Sequence, residues 1–256
     1  MLSMSKIWKI HKRLRHLLPQ FIIKKIRFLV ERYFDSFWAT KSFSIAGEDL
    51  ALQSLLFRRD QQVGASSLRP NGFFVDIGAF APKQFSNTYL FYKKGWSGIN
   101  IDATPNSMTI FNKTRKRDIN IEIAVSDTQS VLDYYTWGTP TVVNTLSLEH
   151  AEIFTKRLGI APQIVKVQTR TLESILDEFL PKGQFIDFMN VDVENHDLNV
   201  LTSNNWDKYR PFLVAVELAI ERFDQILNSE ITTFMQSKNY YIASWIYPNI
   251  IFESNT

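Results

Sequence analysis

The 256-residue chain is long enough to bury one full α/β core with an appendage. Its 45% hydrophobic and 21% charged residues are those of a globular protein, and the absence of cysteine excludes disulfides, a thiolate nucleophile, Cys-ligated zinc and iron–sulfur clusters. The formal charge of +3 is unevenly spread: residues 6–32 carry nine lysines and arginines against Glu31 alone, which leaves the rest of the chain net acidic.

The first residues lack the apolar core and cleavage site of a signal peptide, and no run approaches the roughly 18 apolar residues of a membrane span. A cytoplasmic protein is expected. Residues 5–38 read as two amphipathic helices parted at Pro19, with apolar stripes Ile7-Ile10-Leu14-Leu17 and Ile22-Ile26-Leu29-Tyr33. This basic extension, residues 1–45, suits packing on the core or on a second copy in a homo-oligomer. Its residues 6–32 also suit peripheral contact with an anionic inner membrane face. No nucleic-acid motif accompanies the basic residues, so a nucleic-acid partner is not expected.

A second domain, residues 46–256, begins at Ala46-Gly47. Glu48-Asp49 opens a helix through Phe57, with acids at its positive end, and the Gly/Ser/Pro-rich stretch 60–72 is a loop. From there short apolar runs alternate with helical stretches. Strands are expected at Phe73–Ile77, Gly98–Asp102, Ile121–Val125, Phe185–Val191 and Phe212–Glu217, then at Tyr240–Tyr247 and Ile250–Phe252. Helices are expected at about 86–94, 105–116, 171–180, 196–204 and 221–237. The alternation predicts a Rossmann-like, mostly parallel sheet covered on both faces, with the last two strands as an antiparallel edge hairpin. Residues 128–170 break the rhythm. Strands at Val131–Tyr135 and Ile164–Gln168 around a helix at Ser147–Leu158 predict an insertion placed to cover a substrate.

A sheet of this kind binds its ligand outside the carboxyl ends of its strands, so the residues there carry the chemistry. Strand one ends in Asp76-Ile77-Gly78-Ala79, and Ser86-Asn87-Thr88 can cap the helix that follows. Asp102 ends strand two, 26 residues after Asp76, where an acid can accept both ribose hydroxyls of an adenosine. Gly78 is the only glycine in 76–84, so the glycine-rich backbone that a pyrophosphate requires is missing. That favours S-adenosylmethionine (SAM), which carries no phosphate, over a dinucleotide. Ser126 and Asp127, after strand three, are placed for an adenine edge or a turn. Asp192, Glu194 and His196 crowd the end of strand four, and Glu217 ends strand five. Of the four histidines, only His196 lies at a core strand end; His11 and His16 are in the extension and His150 in the insertion.

These residues resemble the FkbM-type methyltransferases. The resemblance runs from about Gly47 to Glu217 through Gly47-Glu48-Asp49, Gly72–Ala79, Ser86-Asn87-Thr88, Gly95–Asp102, Ala124–Asp127 and Asp187–Leu198. It implies a SAM-dependent enzyme, in most members an O-methyltransferase acting on sugars, polysaccharides or natural-product hydroxyls. It places Asp76, Gly78, Ala79 and Asn87 in the cofactor loop, Asp102 at the ribose, Ser126 and Asp127 at the adenine, and Asp192, Glu194 and His196 on the catalytic rim. Two positions depart from the pattern. Asn195 stands where the family has glycine, and asparagine tolerates the left-handed backbone a glycine would adopt there. The proline that follows the ribose acid is displaced to Pro105.

The expected reaction is in-line methyl transfer to a sugar or glycolipid hydroxyl, with His196 or Asp192 taking the proton and Glu194 and Glu217 orienting base or acceptor. A variant places a divalent cation such as Mg²⁺ on Asp192, Glu194 and Glu217. Two alternatives differ in class: a NAD- or nucleotide-sugar-binding enzyme on the same sheet, and a non-catalytic adaptor tethered through the basic extension.

Overall fold

The computed structural model describes residues 19–33, 39–138 and 141–255. The chain divides into two compact units, the first ending at Lys41 and the second running from Ser42. In the first, Gln20–Tyr33 forms one helix, α1, which begins directly after Pro19 as the sequence predicts. The expected helix before Pro19 lies outside the described residues. Among the described residues, no helix is long and apolar enough to cross a membrane.

The second unit holds a seven-stranded sheet. Its strands are β1 (Phe73–Ile77), β2 (Ser97–Asp102), β3 (Ile119–Glu122), β7 (Phe188–Val191), β8 (Leu213–Glu217), β9 (Tyr240–Ile246) and β10 (Asn249–Ser254), in the order β3-β2-β1-β7-β8-β10-β9. The pairs from β3 through β8 are parallel, and β10 runs antiparallel between β8 and β9. The late hairpin thus closes one side of the sheet as expected. Within it the reversed strand is β10, and β9 forms the outer edge.

The hydrophobic alternation explains why both faces are covered. Val75, Ile77, Ile99, Ile101, Met189 and Val191 point to one side, where helices Leu172–Phe179, Asp197–Thr202 and Glu230–Ser237 bury Ile175, Val200 and Met235 on them. Phe74, Phe188, Leu213 and Ala215 point to the other, under Leu52 and Leu56 of helix α2 (Glu48–Gln62) and under Phe91 and Trp96. A parallel strand buried on both faces must be apolar almost throughout, and the five residues of β1 are all buried. Its one polar member, Asp76, is therefore conspicuous.

Two expectations change. The apolar run at Ile121–Val125 is not one core strand. The third core strand stops at Glu122, and Ala124–Val125, β4, pairs in parallel with β6 (Gln163–Arg170) of a separate sheet. That sheet, β4-β6-β5 with β5 at Val131–Thr136, together with helix Leu148–Leu158 builds the predicted insertion. The helical stretch 221–237 is likewise two helices, Phe223–Leu227 and Glu230–Ser237. The second is capped by the Ser229 hydroxyl, which accepts from Thr232 N.

One buried ion pair braces the sheet behind the site. Arg115 and Asp118 are fully buried and meet at 2.7 Å. The same guanidinium donates to Pro82 O and Thr88 Oγ1, both at 3.1 Å, and lies 4.6 Å over the Tyr92 ring. Burial pushes the Asp118 carboxyl up, and the Arg115 charge opposes that shift. Removing one partner strands the other charge, so Arg115→Ala is expected to destabilise the fold by about 3 kcal/mol in denaturant titration. A loss below about 1 kcal/mol would show that water replaces the guanidinium.

Candidate active site

A cavity of about 710 Å³ opens at the carboxyl ends of β2, β1, β7 and β8. The chain crosses from one side of the sheet to the other between β1 and β7, so the cavity lies where ligands settle in open α/β sheets. Asp76, Gly78, Ala79, Asn87, Asp102, Asp192, Glu194, His196 and Glu217, all expected from the sequence, line it together. Ser126 and Asp127 do not; at that corner the wall is Ile123, Ala124 and Val125.

The loop after β1 is held by backbone and side chains alike. Gly78 N and Ala79 N donate to Ile101 O, extending the β1–β2 ladder past its last residue pair. Gly78 has φ +81, and a Cβ there would fall 1.7 Å from the Asp192 carbonyl oxygen, far inside contact distance. The close approach that the glycine permits is to the protein's own backbone at the end of β7. Asp76, buried at the sheet centre, accepts from Asn190 Nδ2 at 2.9 Å and from Thr88 Oγ1 at 2.8 Å. Asn87 donates to Asn190 Oδ1 at 2.9 Å, so Asn87, Asn190, Asp76, Thr88 and Arg115 form one hydrogen-bonded chain. Burial raises the Asp76 carboxyl above the ordinary range; Thr88 and Asn190 oppose the rise. Ser86 Oγ accepts from Thr88 N and Tyr89 N before the helix that follows the loop, whose N-cap Thr88 makes no side-chain capping bond of its own.

Asp102 faces the cavity from β2. Its oxygens accept Phe80 N at 2.9 Å and Thr104 N at 2.8 Å, which fixes both the loop after β1 and the turn that carries the displaced Pro105. Burial raises this carboxyl also. Tyr134 from the insertion reaches Thr104 Oγ1 at 2.9 Å, and Asn144 donates to the same hydroxyl.

At the opposite wall four carboxylates gather. Burial first, then the charges of Glu217 and Glu194, push Asp192 well above the carboxylate range. Burial, then Glu194 and Asp197, push Glu217 up to about 7. The two side chains share a hydrogen bond, so the carboxyls titrate as a pair. Oxygens of Asp192, Glu194 and Glu217 lie within 4.8 Å of one another, a set able to hold a divalent cation.

Glu194 and Asn195 are both left-handed, at φ 56 and φ 68. Asparagine tolerates this conformation, whereas Glu194 adopts it against its own preference. The insertion holds this turn. Thr145 Oγ1 donates to Glu194 O at 2.6 Å, His150 Nε2 meets Glu194 Oε2 at 2.9 Å, and Asn195 Nδ2 lies 3.0 Å from His150 Nδ1. With Asn195 donating, His150 Nδ1 accepts, and Nε2 lies beside the Glu194 carboxylate without an aligned hydrogen bond to it. His150 is thus a site residue that the sequence placed elsewhere.

His196 lines the cavity, and its Nε2 lies 2.9 Å from Ser126 Oγ. Ser126 gives its proton to Asp127, so its oxygen accepts from His196 Nε2–H and leaves Nδ1 with the lone pair. Asp127 Oδ2 in turn accepts from Asn199. Burial lowers the His196 pKa and the Asp127 charge partly opposes it, so the ring is neutral at pH 7. Ser126 and Asp127 orient this histidine.

No curated protein matches the chain. A crystal structure of a methyltransferase FkbM from Methylobacillus flagellatus KT is similar at 14% identity and a TM-score of 0.45, over 78% of this chain and 47% of that one. The chain therefore spans about half the length of that relative. A family model, the methyltransferase FkbM domain, matches residues 76–242, from the first site aspartate to β9. The chain belongs to the FkbM methyltransferase family.

Proposed function

We propose that the chain transfers a methyl group from SAM to a hydroxyl of a sugar or glycolipid. The observation that carries the cofactor is the charge of the cavity. Asp76, Asp102, Asp192, Glu194 and Glu217 line it, while Arg157 is the one lysine or arginine among the lining residues. A pyrophosphate would enter that field uncompensated, whereas a sulfonium and an ammonium suit it. The loop backbone agrees, since Gly78 is already packed on Asp192 and offers no open phosphate cradle.

The donor set fits SAM. Asp102, with one backbone amide on each oxygen, keeps lone pairs for two ribose hydroxyls. The loop Gly78–Phe80 and Asn87 would meet the amino-acid end. Bound there, SAM supplies an electrophilic methyl on a sulfonium. The protein's task is to align an acceptor oxygen and to remove its proton. The Asp192–Glu217 pair suits that removal, because a carboxyl near 7 is half ionised at working pH. His196, neutral with Nδ1 free, is the second acceptor on the rim. Asp102→Ala is expected to weaken S-adenosylhomocysteine binding at least about 100-fold in calorimetry, the loss of two charge-assisted hydrogen bonds. Unchanged affinity would remove Asp102 from the ribose.

The oxygen-only set of Asp192, Glu194 and Glu217 favours a second version in which Mg²⁺ lies there and acidifies the acceptor hydroxyl. Activity lost to a chelator and restored by Mg²⁺ would establish it; chelator-insensitive turnover would end it.

A further inference from the structure

The floor of the cavity is acidic, but its opening is apolar. Six side chains that line the cavity are also largely exposed: Ile45 65%, Phe85 46%, Val142 44%, Ile153 50%, Leu158 46% and Tyr247 50%. They come from separate parts of the second unit: the segment before α2, the loop after β1, the loop 141–146, the insertion helix and the turn between β9 and β10. Single exposed apolar residues are ordinary on a protein surface, but several gathered around one opening mark a contact surface.

Basic groups stand beside them. Lys83 is exposed two residues from Phe85, and Arg157, exposed and itself lining the cavity, precedes Leu158 in the last turn of the insertion helix. The acids of that helix, Glu149 and Glu152, lie nearer its start. Apolar side chains flanked by lysine and arginine suit an interface whose outer layer is anionic and whose interior is apolar. A second copy docking here about a two-fold axis would bring the same basic groups against one another.

We propose that the mouth of the cavity docks on an anionic bilayer, with Phe85, Ile153 and Leu158 entering the headgroup layer and Lys83 and Arg157 meeting its phosphates. This surface belongs to the second unit and shares no residue with the basic segment 6–32. Direct delivery of a lipid-borne acceptor to the acidic floor rests on the methyl-transfer reading; the docking itself does not.

The chain has no cysteine, so one introduced cysteine takes a polarity-sensitive dye at a single place. Full-length Ile153→Cys and Phe85→Cys, labelled in this way, are mixed with phosphatidylcholine vesicles with and without phosphatidylglycerol. Asp207→Cys, exposed and away from the cavity, is the control. A blue shift with roughly a two-fold gain in emission at both rim positions on the anionic vesicles is expected, with no change at residue 207. Ile153→Ser with Leu158→Ser should lower vesicle binding about ten-fold. Vesicle-bound protein whose rim dyes do not respond would overturn the proposal. A rim shift that needs no vesicles and grows with protein concentration would also overturn it, and would assign the surface to a second copy. Failure of S-adenosylhomocysteine binding in the unsubstituted chain would instead count against the cofactor reading.

Discussion

Asp192→Asn is expected to reduce methyl transfer by about 10² to 10⁴-fold, the range for losing a positioned proton acceptor. Asparagine keeps the shape of the side chain but cannot share a proton with Glu217. The readout is labelled methyl carried from SAM into the glycan and lipid fractions of cells that make the protein. Full activity in this variant would exclude the carboxyl pair and leave His196 Nδ1 as the acceptor. Glu217 gives the same account a pH signature. Its pKa rises on folding from the ordinary 4.5 to about 7, so the folded protein binds a proton that the unfolded chain releases. Stability from that proton is fully present below about 4.5 and is lost as pH rises through about 7. The loss amounts to at most about 3 kcal/mol. With a chelator present, Glu217→Gln should flatten this fall and leave the variant more stable than the parent at pH 8, though less active. An unaltered slope would place the titration on another group.

Gly78→Ala is expected to cost more than about 4 kcal/mol, more than ordinary packing changes, because two faults coincide. The residue's φ of +81 penalises any side chain, and the added methyl would collide with the Asp192 backbone, which the β-ladder fixes in place. Asp192 N donates to Ile77 O at 3.0 Å, so relief of the collision would part β1 from β7 beneath the cavity. Chemical denaturation measures the loss. A variant within about 1 kcal/mol of the parent would show that the loop can move away from β7.

The difference between what could be read in the sequence and what could not follows from range. The strands at Phe73, Ser97, Phe188 and Leu213 announce themselves through apolar runs, and Asp76, Asp102, Asp192 and Glu217 stand out because each ends such a run. The stretch Ile119–Val125 reads as one strand because hydrophobicity is continuous through it. Only pairing with β6, some 40 residues later, turns Ala124–Val125 out of the core sheet. That turn aims Ser126 at His196 and takes Ser126 and Asp127 out of the cavity wall. His150 escapes detection because its partner Glu194 is 44 residues away and no local pattern announces the contact. Gly78 stands out in the sequence as the one glycine in 76–84, but its packing on the Asp192 backbone does not.

The central claim is that the acidic cavity takes SAM and excludes a phosphate-bearing cofactor. Titration calorimetry of the full chain with S-adenosylhomocysteine and, separately, with NAD tests it most directly. Saturable binding of S-adenosylhomocysteine with a Kd in or below the micromolar range, and no heat from NAD, is the predicted result. Binding of NAD without S-adenosylhomocysteine would contradict the account.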